Sequence, residues 1–328
     1  MRIGVFCSGG DSPGMNPCVR AIVRTGIFSG HEIVGFHQGY QGIIDRNVHI
    51  TRAGDSVMAV ASVEDIIHQG GTILHSSRSS EFRTEEGAQK AADNLRDLNI
   101  DALIPIGGDG TLRGAVDLAR FWSGRIVGCP GTIDNDLLGT DYTIGFHTAV
   151  NTAVEAVDKL RDTAESHGRL FLVEVMGRHS GYIALFTALA TGAAVACLPE
   201  TETDVHQIIG RIRRSLDRGK RSLMVIVAEG DGGGVTGLHA RLEEAGCPFS
   251  MRDVCLGHIQ RGGSPVPADR LLGSRLGELA VQAILDGVSG VMAGWVGGKG
   301  ILTPLPEVFA GHKPVPQVLV DLLDRLGG

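Results

Sequence analysis

The feature that most constrains this chain is a rhythm. Seven short runs rich in Val, Ile and Leu, at residues 3–7, 33–36, 102–106, 125–129, 170–175, 195–198 and 223–228, alternate with helical patterns. None of the runs shows a clean two-residue alternation, which is the signature of strands covered on both faces. Between them, Asn16 suits a helix N-cap and Pro17 the first helical position. Val19, Ile22, Val23 and Ile27 then fall on one helical face, and Val150, Val154 and Val157 make a second stripe. A strand-then-helix order predicts an α/β fold with mostly parallel sheets and right-handed crossovers. At 328 residues, two lobes suit the chain better than one sheet. No low-complexity linker separates them, so the chain is expected to cross between lobes more than once.

Composition excludes several classes. Thirty Lys and Arg against 37 Asp and Glu give a net charge of −7, with no basic stripe for general nucleic-acid binding. No apolar run approaches the ~18 residues of a membrane span. The first residues run straight into a strand, so no signal peptide is expected. The six cysteines form no CxxC pair and read as reduced cytosolic thiols. Glycine is the outlier, at 48 residues, roughly twice the usual share.

Those glycines cluster where ligands bind in open α/β sheets, beyond the carboxyl ends of strands. Ser8-Gly9-Gly10-Asp11 follows the first run, and Gly107-Gly108-Asp109-Gly110-Thr111 the third. Pro130 to Asp136, Met176-Gly177-Arg178 and Glu229-Gly230 follow the fourth, fifth and seventh. Five such loops predict one large site. In the Asp109 loop, bare glycines let backbone N–H groups face a phosphate, and Asp109 is a hard oxygen ligand suited to Mg²⁺. A tight turn with Asp109 as helix cap is the alternative. Neither G-x-G-x-x-G nor GxxxxGK[ST] fits the spacing. Asp134 and Asp136 suggest one base and one metal or orienting group, or else a pair of Asx-turns. Among the arginines Arg161, Arg169, Arg178, Arg252 and Arg261, Arg178 is the best candidate for binding phosphate through its planar fork. His258, Gln260 and Arg261 together could read a phosphorylated sugar.

Taken in order, Ser8 to Asn16, the Asp109 loop, Pro130 to Asp136, Met176 to Arg178 and Gly257 to Pro265 resemble the motif set of the bacterial ATP-dependent phosphofructokinase family. The likeness runs from residue 1 to about 290. The Asp109 loop alone is shared with NAD and lipid kinases; the other loops make the set specific. The resemblance implies two Rossmann-like lobes in a cytoplasmic homotetramer. An ATP/Mg lobe would comprise residues 1–145 plus about 260–305, and a fructose 6-phosphate lobe 146–259 plus about 306–328. It implies phosphorylation of D-fructose 6-phosphate at its 1-hydroxyl, the committed step of glycolysis. Gly10, Tyr40, Arg78, Gly108, Gly110 and Thr111 would hold ATP, and Asp109 the Mg²⁺. Asp134 would be the base, with Arg178 and Thr132 beside it in catalysis. Thr132, Asp134, Met176, Gly177, Arg178, Glu229, His258 and Arg261 would bind fructose 6-phosphate. Arg169 and Arg252 would reach a neighbouring subunit's 6-phosphate.

Two departures stand out. Basic positions for a nucleotide effector are matched by Arg20, Arg24, Arg161 and Lys220, but Ala194 stands where a glutamate would hold the effector's Mg²⁺, so weak or absent ADP activation is expected. Ser79-Ser80-Glu81 is more polar than the usual contact to adenine. Pyrophosphate-using relatives carry Asp and Lys at the positions of Gly110 and Gly131, so glycine at both favours ATP. The competing readings are a pyrophosphate-dependent relative, a kinase of another sugar phosphate such as sedoheptulose 7-phosphate, and a non-catalytic nucleotide or sugar-phosphate sensor. Retention of Asp109, Asp134 and Arg178 disfavours the last.

Overall fold

The computed structural model describes residues 1–327. In chain order its strands are β1 (Arg2–Cys7), β2 (Glu32–Phe36), β3 (Ala102–Gly107), β4 (Arg125–Thr132), β5 (Ile144–Gly145), β6 (Leu170–Val175), β7 (Val195–Cys197), β8 (Leu223–Ala228), β9 (Met251–Cys255), β10 (Val291–Val296) and β11 (Lys299–Pro304). The helices are α1 (Met15–Phe28), α2 (Gly39–Ile44), α3 (Glu85–Asp97), α4 (Asp109–Leu118), α5 (Phe146–His167), α6 (Tyr182–Thr191), α7 (Val205–Asp217), α8 (Gly234–Glu244), α9 (Pro267–Leu285), α10 (Leu305–Val308) and α11 (Gln317–Leu326). All seven runs read from the sequence are strands.

The chain divides into two units, one of residues 1–147 and 261–312, the other of residues 148–260 and 313–327. Residues 306–312 therefore belong with the first unit, where the sequence reading had put them in the second. Leu305 and Val308 are buried in the first unit's core, and that burial keeps the segment there.

In the first unit a sheet runs β11-β10-β4-β3-β1-β2, with β5 beside β4. It is parallel except for the β10–β11 hairpin. One face packs Val19, Ile22 and Val23 of α1 with Leu276 and Ala280 of α9; the other packs Phe6, Tyr40 and Leu95. The second unit has a fully parallel sheet, β7-β8-β6-β9. Its buried helix positions include Ile208 and Ile212 of α7 and Leu238 and Leu242 of α8. Parallel pairing with helical crossovers aims the carboxyl ends of the strands in each sheet at one rim, and the glycine loops sit on those rims.

Two local readings differ. Asn16 is not the cap of α1; Gly14 is, in a left-handed conformation. Asn16 lies buried inside the first turn, where its amide donates to the carbonyls of Gln69 and Gly70 and accepts from Ile73 N. In α5 the fully buried stripe runs through Ala149, Ala153, Val157 and Ala164, while Val150 and Val154 are half-buried. Small alanines allow closer packing than valines.

Candidate active site

In the first unit, β3 ends in Gly107-Gly108 and α4 begins at Asp109. The turn is tied down from below. Thr111 Oγ1 donates to Ser8 O at 3.0 Å, and Tyr40 Oη donates to Thr111 O at 2.7 Å. Tyr40 itself is buried, stacked on Phe82 with ring centroids 3.9 Å apart. Burial first, then Asp117, pushes its phenol well above its ordinary pKa. Tyr40 and the Thr111 hydroxyl are thus structural supports for the loop, and Thr111 N donates to Gly108 O at 3.0 Å within the turn.

The Gly9-Gly10 loop lies alongside. Gly9 has φ +83, a value L side chains rarely adopt. A Cβ on Gly10 would stand 2.6 Å from Arg261 Nη1, which donates to Asp11 O at 3.1 Å. The Arg78 segment is stitched to the same loop. Ser76 Oγ donates to Gly9 O, and Gly9 N donates to Ser77 O. Arg78 is exposed there. No atom lies within 4 Å of a Cβ built on Gly110, so that side of the loop is open. Gly131 differs. A Cβ there would meet Met15 Cε at 2.9 Å, Ile106 Cγ2 at 3.1 Å and Gly107 N at 3.2 Å. Its missing side chain serves core packing, not space for a donor phosphate.

Asp109 opens α4 with a partly exposed carboxylate. Arg113 Nε donates to both its oxygens, at 3.0 and 2.9 Å, and the Arg113 guanidinium lies 4.3 Å over the Phe309 ring. Among the described residues no group of three or more His, Cys, Asp or Glu could hold a metal ion. A cation at Asp109 would therefore share its ligands with substrate phosphates, the usual habit of Mg²⁺. A hard, accessible carboxylate beside an open glycine loop fits that role.

The base candidate sits next door. Thr132 Cβ would be 3.4 Å from a Cβ on Gly108, which places the two loops side by side. Asp134 is buried, and its N–H donates to Thr132 Oγ1 at 3.2 Å. Asn135, at φ +51, braces the turn by accepting from Thr143 N and donating to Asp141 O. Thr143 Oγ1 donates to Thr132 O at 2.6 Å.

In the second unit the carboxyl rim carries Met176-Gly177-Arg178. Gly177 has φ +143, and a Cβ would lie 2.4 Å from Ser180 O. Glu229 Oε1 accepts from both Gly177 N (3.2 Å) and Arg178 N (2.7 Å). Gln260 Oε1 accepts from Met176 N at 2.9 Å. Glu229 and the fully buried Gln260 thus shape the loop that presents the exposed Arg178. Met176 is buried, and His258 is exposed on a short 3₁₀ turn. Arg169 and Arg252 precede or open β6 and β9, which pair with Leu170 opposite Met251. They therefore occupy the opposite end of the sheet from Arg178, about 20 Å away along β6.

The phosphofructokinase family profile matches residues 2–284. An ATP-dependent 6-phosphofructokinase of Thermus thermophilus is 51% identical over 323 residues, covering 98% of each chain. The chain belongs to the phosphofructokinase family. A Bacillus subtilis ATP-dependent 6-phosphofructokinase is 47% identical over 99% of both chains. Among solved structures, phosphofructokinase from Saccharomyces cerevisiae superposes with a TM-score of 0.85 at 36% identity, and the present chain spans 45% of that chain's length. A pyrophosphate-dependent phosphofructokinase from Marinobacter aquaeolei has a TM-score of 0.83 at 20% identity, a likeness of fold alone.

At the expected effector positions, Arg161 Nη2 donates to Thr191 O and Lys220 Nζ donates to Gly192 O, capping the last carbonyls of α6, while Ala194 is buried. Burial first, then Arg161, lowers the Lys220 pKa. Sequence reasoning took Gln260 for a sugar contact, whereas its Oε1 accepts from Met176 N, and it missed Arg113, Ser76 and Ser77. Of these only Arg113 carried a signal, being four residues after Asp109 on one helix face.

Proposed function

We propose that this chain transfers the γ-phosphoryl group of ATP to the 1-hydroxyl of D-fructose 6-phosphate, giving fructose 1,6-bisphosphate and ADP. The observation that supports this best is the pairing of two loops. An amide-rich phosphate loop with its carboxylate lies directly beside a buried, rigidly braced aspartate. Phosphoryl transfer needs positioning, cations and a base more than covalent chemistry.

Asp109 would hold Mg²⁺, which when bound neutralises charge on the donor's phosphate oxygens. Backbone amides of Gly10, Gly108 and Gly110 orient the polyphosphate, with Arg78 as a neighbouring cation; Thr111, whose N–H closes the turn on Gly108 O, and Tyr40 are the supports beneath. Asp134 takes the proton from the sugar's 1-hydroxyl. Thr132 fixes the Asp134 turn. Arg178, presented by Glu229, stabilises charge on the moving phosphoryl group. His258 and Arg261 recognise the sugar phosphate, along with Met176 and Gly177 through their backbone. The unit of residues 1–147 and 261–312 is the nucleotide lobe in this reading, and that of residues 148–260 and 313–327 the sugar lobe.

Arg169 and Arg252 lie too far from Arg178 in one chain to serve the same sugar. We assign them to the 6-phosphate of a neighbouring subunit's substrate in a homotetramer. No helix among the described residues is long and apolar enough to cross a membrane, and we place the enzyme in the cytoplasm. The open space at Gly110 favours ATP over pyrophosphate.

The test is product identity. With ATP, Mg²⁺ and fructose 6-phosphate, ADP should form in step with a bisphosphate whose new phosphorus couples to the protons on C1 in ³¹P NMR. Coupling to another carbon, or ADP formed without a sugar bisphosphate, would contradict the reading.

A further inference from the structure

Arg113 has no place in the mechanism above, yet it occupies the metal ligand. Its Nε donates to both oxygens of Asp109, and stacking on Phe309 holds the guanidinium there. The terminal nitrogens make no hydrogen bond among the described residues. Mg²⁺ binds carboxylate oxygen at ~2.0–2.1 Å, so a dication on Asp109 would lie within about 5 Å of Arg113 Nε in the observed pose. Two cations that close repel, and the oxygen lone pairs aimed at Nε–H are those a metal would take.

We propose that Arg113 is a positioning residue that competes with the divalent cation for Asp109 and so sets the metal affinity of the nucleotide site. This rests on the reading of Asp109 as the metal ligand. The pair is partly exposed, 53% for Arg113 and 43% for Asp109, so the effect is of modest size and responds to salt.

The test titrates Mn²⁺ by electron paramagnetic resonance, with the protein saturated by a non-hydrolysable ATP analogue. Arg113→Gln keeps a good helix former at an exposed position. The expected result is an apparent Mn²⁺ dissociation constant about threefold lower than wild type at low salt, the gap narrowing as KCl is raised. Unchanged or weaker Mn²⁺ binding in Arg113→Gln would overturn the proposal, and joint weakening of metal and analogue would make Arg113 a phosphate contact instead. Asp109→Asn separates the two levels. It should weaken Mn²⁺ about tenfold or more, by loss of the carboxylate that joins the phosphates in holding the metal. If Asp109→Asn binds Mn²⁺ as wild type does, the metal-ligand reading and the proposal both fail. If Asp109→Asn weakens binding while Arg113→Gln changes nothing, only the proposal fails.

Discussion

Asp134 is a short carboxylate on a turn that Thr132, Asn135 and Thr143 hold through the backbone, not on a flexible arm. Positioned bases contribute roughly 10²–10⁴-fold to rate. Asp134→Ser should therefore cut the turnover number by about a hundredfold or more with little change in the sugar-phosphate KM. Near-normal turnover would remove Asp134 from the role. The two glycines separate cleanly by surroundings. Gly110 faces open space, so Gly110→Asp should fold normally, yet depress catalytic efficiency with ATP far more than any residual activity with pyrophosphate. Equal losses with both donors would show that the open side does not face the nucleotide. Both the Asp109 and Asp134 loops were legible from residue type and placement after apolar runs. The roles of Tyr40, Glu229 and Gln260 were not. A sequence shows that a side chain can bind a ligand; only the fold shows that its polar atom is already committed to a neighbouring backbone.

At the scale of elements, the seven strands read from the sequence carry short continuous apolar runs, which leave a strong signal. Of the four missed, β10 is largely buried, but Gly294 interrupts its apolar run; the others were weaker for physical reasons. β9 is an edge strand with Arg252, Asp253 and Cys255 exposed. β5 has two residues, and β11 is a half-exposed hairpin arm. The cap of α1 was misplaced because Asn16 carries the chemistry of a cap but spends it on the 69–73 loop. Where β2 meets α2, His37 Nε2 lies 3.3 Å from His49 Nδ1, with the His75 ring 5.3 Å from that of His37. Burial first, then His49 and His75, lowers the His37 pKa; burial lowers that of His49. A folded imidazole with a depressed pKa binds fewer protons than the unfolded one. Stability should thus be full above about pH 7 and fall as pH drops through the ordinary histidine range near 6.5. The urea midpoint should be lower at pH 5.5 than at 7.5, and His49→Gln should shrink that difference. An identical pH response in the variant would absolve the pair.

At the scale of the whole molecule, two sheets of different size arise from one chain that leaves the first unit after residue 147, returns at 261 and leaves again at 312. The absence of a flexible linker in the sequence already pointed to such crossings; their positions depended on which helices each sheet buried. Assembly adds a further test. Arg252→Ala and Asp134→Ser subunits, each inactive alone, should regain partial activity when mixed, because some hybrid sites carry neither lesion. No rescue in verified mixed oligomers would confine each site to one chain. The central claim, ATP as donor to fructose 6-phosphate, is tested most directly by comparing kcat/KM for ATP and for pyrophosphate at saturating Mg²⁺ and fructose 6-phosphate. The account predicts efficient turnover with ATP and little with pyrophosphate. Pyrophosphate equalling or surpassing ATP would contradict it.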